Sequence, residues 1–125
     1  MDHIRNGAAA VRPYLYGPEE LVAFVVNVFD ATEVTRTPTP RGSHVELELQ
    51  DSVVVIETGD RGAHDTTVAS IYVYVPDVDE AYRRAIAAGA TSIYEPTDHD
   101  YGDRGCGVRD SAGNVWWIGC YLGEG

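Results

Sequence analysis

The chain contains no lysine: all 9 of its basic residues are arginine, set against 20 acidic residues, for a formal net charge of −11. That absence removes Schiff-base chemistry, the phosphate-binding lysine of a P-loop and any lysine general base. Cysteine is scarce too. Cys106 and Cys120 are too few for a disulfide framework and lack Cys-x-x-Cys metal spacing, so both are read as reduced, buried small residues. No apolar run approaches the roughly 18 residues of a membrane span. Met1 to Ala10, carrying Asp2, His3 and Arg5, has no apolar stretch of the secretory kind, and a cytoplasmic protein is expected. The carboxylate excess repels phosphate backbones and anionic lipid, which argues against nucleic acid and membrane partners; it serves solubility and would also suit a cationic ligand.

What is present fits one domain, since 125 residues with 44% hydrophobic content can build a core without staples. A repeat organises it. Arg12-Pro13-Tyr14-Leu15-Tyr16-Gly17-Pro18-Glu19 matches Ser70-Ile71-Tyr72-Val73-Tyr74-Val75-Pro76-Asp77 in constant register, and Phe24 continues the match with Tyr82. After a one-residue slip Ala31-Thr32 pairs with Ala90-Thr91 and Val34 with Ile93. Each copy opens on a period-2 strand and passes into an acid-rich helix start with proline nearby. Leu21, Val22, Val25, Val28 and Phe29 stripe the first helix; Val78, Ala81, Tyr82, Ala85 and Ile86 stripe the second, which stops at Gly89. Alternating strands follow at Glu33 to Thr37, His44 to Leu49 and Val53 to Glu57, then at Ser92 to Glu95, Gly107 to Arg109 and Val115 to Tyr121. The organisation predicted is an N-terminal extension (1–10), a first βαβββ module (11–59), a linker (60–67) and a second module (68–122). Paired, the two α+β modules form a curved mixed sheet with helices on one side and a concave cleft on the other.

The repeat, together with Tyr101-Gly102-Asp103-Arg104 leading into Gly107-Val108-Arg109-Asp110-Ser111-Ala112-Gly113-Asn114-Val115-Trp116-Trp117-Ile118, resembles the vicinal-oxygen-chelate superfamily over about residues 11 to 122. Within it, the PhnB-like glyoxalase/bleomycin-resistance branch is most similar. The resemblance implies a divalent metal held by a His or Gln near the start of each copy's first strand and a Glu in each copy's last strand. Those positions fall on Arg12, Ser70, Val54 (register good to one residue) and Trp117. None is a competent ligand, so no metal and no other cofactor are expected.

Strand period shows what stands there instead. Arg12, Tyr14 and Tyr16 share one face, as do Ser70, Tyr72 and Tyr74, with Val11, Pro13, Leu15, Ile71, Val73 and Val75 as the partners that helices should cover. Trp117, Val115 and Tyr121 join the tyrosines from the last strand, and Asp98-His99-Asp100-Tyr101 forms a rim loop. Such walls stack on planar groups and offer hydroxyls for orientation. The expected ligand-binding set is therefore Arg12, Tyr14, Tyr16, His44, Ser70, Tyr72, Tyr74, Tyr101, Trp117 and Tyr121. His44 and Glu46, alternating with Val45 and Leu47, are candidate base and orienter if that face is the cleft, and otherwise a solvated strand face. His3, His64 and His99 read as ordinary exposed residues. Asp103 and Arg104 read as a hydrogen-bonding pair at a loop–strand junction, and Asp110 and Asn114 as turn-formers. The function expected is metal-independent binding of an aromatic or cationic natural product, resembling the antibiotic-sequestering members. The alternative is a glyoxalase-like lyase, isomerase or cyclase using His44, Glu46 or a tyrosine. A homodimer is expected on the same resemblance.

Overall fold

The computed structural model describes residues 3–5, 9–59 and 67–123, so His64 and most of the expected linker lie outside the described residues. The first module runs β1 (Tyr14–Gly17), α1 (Glu19–Phe29), β2 (Thr32–Pro38), β3 (Gly42–Leu49) and β4 (Ser52–Gly59). The second repeats it as β5 (Ser70–Tyr74), α2 (Val78–Ala87), β6 (Thr91–Asp98), β7 (Asp103–Arg109) and β8 (Val115–Tyr121). Each module closes its own four-stranded mixed sheet, ordered β1-β4-β3-β2 and β5-β8-β7-β6, in which only the first and last strands pair in parallel. This is the tandem βαβββ architecture.

Helix α1 forms despite four β-branched valines because burying Leu21, Val22, Phe24, Val25, Val28 and Phe29 outweighs propensity penalties of a few tenths of a kcal/mol each. It ends where Asp30 turns left-handed, at φ 56°. Helix α2 starts where the Asp77 carboxylate accepts the Glu80 N–H at 3.0 Å, and stops just before Gly89, whose φ of 98° an L-residue rarely adopts. The modules share one core: Phe24 and Phe29 of α1 flank Trp116 of β8, with ring centroids 6.1 and 5.1 Å away. Gln50 adds a hydrogen bond across the seam, from Nε2 to the Tyr74 carbonyl at 2.6 Å.

Strands β6 and β7 are longer than the alternation suggests. Register slips between Ser92 and Tyr94 and between Tyr94 and Thr97 absorb Pro96, and Gly105 and Gly107 hide the period of β7. The turn after β7 is anchored in the core. Asp110, itself buried, accepts hydrogen bonds from the Ala112 and Asn114 N–H groups, the Asn114 amide and the Trp116 indole at 2.8 Å.

Leu15 and Val73 are buried toward the helices, so the tyrosines beside them in sequence point to the opposite, open side of each sheet. Val11 is a correction: it precedes β1 and is 86% exposed, because no strand pairing holds it under a helix. Among the described residues, no helix is long and apolar enough to cross a membrane.

Candidate functional site

Contacts divide the expected site residues into two groups, one on each open face. On the first module, β3 pairs His44 with Glu57 and Glu46 with Val55, while β1 pairs Tyr14 with Val55 and Tyr16 with Glu57. These pairings gather a polar cluster. The Tyr14 hydroxyl donates to Glu57 Oε2 at 2.8 Å, and the same oxygen faces His44 Nδ1. His44 Nε2 lies 3.1 Å from Glu46 Oε2, and Arg12 Nη1 donates to Glu46 Oε1 at 3.3 Å. Arg12 also donates to the carbonyls of Ala9 and Arg5, so part of the N-terminal stretch lies against buried Glu46. Tyr16 is half-buried with its ring 5.4 Å from that of Tyr14.

Electrostatics in this cluster favour a charged imidazole. Burial of the His44 ring works against its charge, but hydrogen bonds and fields from Glu57 and Glu46 outweigh that, and His44 titrates above its ordinary range. Tyr14 is held neutral further into alkali, first by burial and then by its bond to Glu57. Glu48, two residues beyond Glu46 on β3, is exposed.

The open face of the second module is aromatic and floored by glycine. Gly105, Gly107 and Gly119 occupy paired positions on β7 and β8. Rings lie directly on them: a Cβ at Gly107 would sit 2.7 Å from Trp117 Cζ3, and one at Gly119 would sit 2.2 Å from the Tyr72 hydroxyl. Tyr94 stacks with Trp117 at 6.1 Å and 29°, and Tyr72 packs against Tyr74 at 5.0 Å. The Trp117 indole donates to Ser70 Oγ at 2.9 Å. Asp103, 5% exposed, accepts from both the Tyr72 and Tyr74 hydroxyls. Burial and the Asp103 hydrogen bond push the Tyr72 phenol up; for Tyr74 the Asp103 bond leads and burial adds to it. Even so, Tyr72, Tyr74, Tyr101 and Tyr121 are between 43% and 64% exposed.

Four residues of these faces were not in the expected set: Glu57, Tyr94, His99 and Asp103. Glu57 ends the continuous apolar run Val53 to Ile56, which conceals the period that would have placed it opposite His44. Asp103 and Arg104 do both hydrogen-bond, but on different sides, since Arg104 takes Asp79 and Asp98. His99 is a correction. It is half-buried, lying flat on Tyr101 with centroids 4.9 Å apart and planes at 8°, because the chain turns back at Gly102 and lays both rings over the sheet. Cys106 is buried, which pushes its thiol up to about 11, and Cys120 is only half-buried; both are free.

The metal positions implied by the fold do not fit a divalent ion. The strand pairing moves the β4 position by one residue: Val55 opposes Tyr14 as Trp117 opposes Tyr72, while Val54 faces the core. Arg12 brings a cation, Val55 no donor, Trp117 an N–H that only donates, and Ser70 a hydroxyl already engaged by that N–H. His44, Glu46 and Glu57 do not converge either, because each imidazole nitrogen already faces a carboxylate oxygen. Among the described residues, no group of three or more His, Cys, Asp or Glu could hold a metal ion.

A cleft of about 380 Å³ lies at the seam, lined by Pro13, Leu49, Gln50, Ile71, Tyr72 and Tyr74 among others. Tyr72 and Tyr74 thus border both the aromatic face and the seam.

Comparison with known proteins accords with this architecture. Residues 17–118 match the family model of the Glyoxalase/Bleomycin resistance protein/Dioxygenase superfamily. An uncharacterised protein of Mycobacterium bovis is 32% identical over 128 residues, spanning 91% of this chain and 84% of its own. Among solved structures, TioX from Micromonospora sp. ML1 is 26% identical with a TM-score of 0.74, over 92% of this chain and 100% of that one. The fosfomycin resistance protein FosX of Listeria monocytogenes, complexed with Mn(II) and sulfate, is 18% identical with a TM-score of 0.69, over 90% of each chain. At that identity the likeness to FosX is one of fold.

Proposed function

The chain belongs to the Glyoxalase/Bleomycin resistance protein/Dioxygenase superfamily, and we propose that within it the protein is a metal-independent binder of small molecules. Its ligand is a planar aromatic or cationic compound held against the second module, as in the drug-sequestering members that the sequence resembles. The observation carrying this is the half-exposed layer of Tyr72, Tyr74, Tyr94, Tyr101 and Trp117 on a glycine floor. A monomer that leaves so much ring surface in water gains free energy when a flat apolar body covers it, and each good stack adds about 0.5–1.5 kcal/mol beyond area burial. The net charge of −11 and the buried Asp103 carboxylate add to the attraction for a cation.

The polar face supports a second reading, in which Tyr14, Glu57, His44 and Glu46 form an acid–base relay for a lyase, isomerase or cyclase. Weighing against it, both imidazole nitrogens of His44 already meet carboxylates, so neither is open to a substrate without rearrangement. We further propose a homodimer, in which a second copy covers part of these exposed faces.

Native mass spectrometry of the purified protein, followed by titration with neutral and cationic planar aromatics, tests the proposal. A binder holds ligand at a stoichiometric ratio and returns it unchanged. Conversion of excess ligand would establish the enzyme reading in its place.

A further inference from the structure

Nε2 of His99 is buried and, among the described residues, has no hydrogen-bond partner. Buried polar atoms are satisfied in the great majority of cases, and each exception destabilises the fold unless something absent from the free chain completes it. The surroundings explain why no group among the described residues reaches this nitrogen. The imidazole lies flat on Tyr101, meets the Tyr94 ring edge-on at 5.5 Å and 87°, and rests its Cδ2–Nε2 edge over Gly105, where a Cβ would sit 3.6 and 3.7 Å from those two atoms. These contacts present aromatic rings and bare glycine backbone to it. The nearby carboxylate of Asp103 already serves Tyr72 and Tyr74 through Oδ2.

The backbone on either side of the ring is held in place, which fixes where the side chain originates. His99 N–H donates to the Asp103 carbonyl at 2.8 Å, and its own carbonyl accepts from Gly102 N–H at 3.1 Å. The hairpin between β6 and β7 therefore places an unsatisfied imidazole nitrogen within the aromatic layer, one strand position from the Gly107 floor of Trp117.

We propose that His99 is the polar contact of this layer, and that the ligand is a planar aromatic carrying a neutral hydroxyl that hydrogen-bonds Nε2. This deepens the binding function proposed above and rests on it. A neutral imidazole presents Nε2 as a donor or an acceptor according to tautomer, and a hydroxyl satisfies either. An anionic group is disfavoured, because Asp98, Asp100 and Asp103 cluster around this hairpin in a strongly acidic chain. The rest of the ligand must be flat and apolar to lie among Tyr94, Tyr101 and Trp117. Tyr101, which stacks on the imidazole and is 64% exposed, is the ring the ligand displaces to reach Nε2.

Equilibrium dialysis with β-naphthol and its near-isostere β-methylnaphthalene separates the proposal from the function beneath it. The full chain is expected to prefer β-naphthol by roughly tenfold, about what one hydrogen bond contributes. His99→Phe keeps the ring stack and is expected to bind both compounds equally, at the affinity of β-methylnaphthalene. His99→Gln, which has both donor and acceptor, is expected to retain part of the preference and guards against misfolding of the first variant. A preference unchanged in His99→Phe, or absent from the full chain while both compounds bind, overturns the role of His99 and leaves the aromatic face as the site. Binding of neither compound, or binding that Trp117→Ala does not weaken, overturns the aromatic site itself and the proposal with it.

Discussion

Tyr72 donates its phenolic proton to Asp103 at 2.7 Å, across the glycine floor that separates β5 from β7. Tyr74 reaches the same Oδ2 at 3.0 Å, so one carboxylate fixes the position of two rings in the aromatic layer. Asp103→Asn replaces an ionised acceptor with a weaker neutral one. Ionisation of the two phenols, followed by tyrosinate absorbance, is expected to move down from its raised position toward the ordinary tyrosine range. An unchanged alkaline titration would show that Asp103 does not hold them.

His44 carries a pH-dependent share of the stability. Its pKa is raised in the folded protein, so this contribution is fully present below the unfolded value of about 6.5 and is lost as pH rises through the folded value. The stability difference between the wild type and His44→Gln, from urea unfolding, is therefore expected to be largest near pH 6 and to shrink toward alkali. A difference growing with pH would contradict the ion pairing with Glu57 and Glu46.

Asp110 ties the turn between β7 and β8 to the core through Trp116, and its removal leaves a buried indole N–H and two backbone N–H groups unpartnered. Asp110→Ala is expected to cost about 3 kcal/mol or more in urea unfolding. A loss below about 0.5 kcal/mol would mean the turn holds without it.

Gly119 is a floor for Tyr72 rather than a hinge. An added Cβ would sit 2.2 Å from the phenolic oxygen, so Gly119→Ala is expected to lift the ring from the sheet and break its bond to Asp103. The downward shift of the Tyr72 titration should then resemble that in Asp103→Asn, with little loss of thermal stability.

Much of the fold was legible because it is written twice. The matched Tyr-aliphatic-Tyr-x-Pro segments fixed both first strands, both helix starts and the side on which the tyrosines face. What stayed hidden lay where side-chain period is silent. Glycine carries no pattern, so the Gly105, Gly107 and Gly119 floor was invisible until pairing aligned it. The unbroken Val53 to Ile56 run masked Glu57, and left the β4 position uncertain by the one residue that separates core-facing Val54 from Val55. His99 looked like a loop histidine because its burial depends on two rings and a hairpin that meet only in three dimensions.

Ligand is expected on the second module, and a paired comparison of Trp117→Ala and Tyr14→Ala in the full chain, by isothermal titration with a planar aromatic ligand, tests that placement. Trp117→Ala is expected to weaken binding about tenfold or more through loss of stacking and area, while Tyr14→Ala, on the other open face, leaves it unchanged. Affinity lost in Tyr14→Ala and kept in Trp117→Ala would contradict the assignment and place the ligand at the His44 cluster.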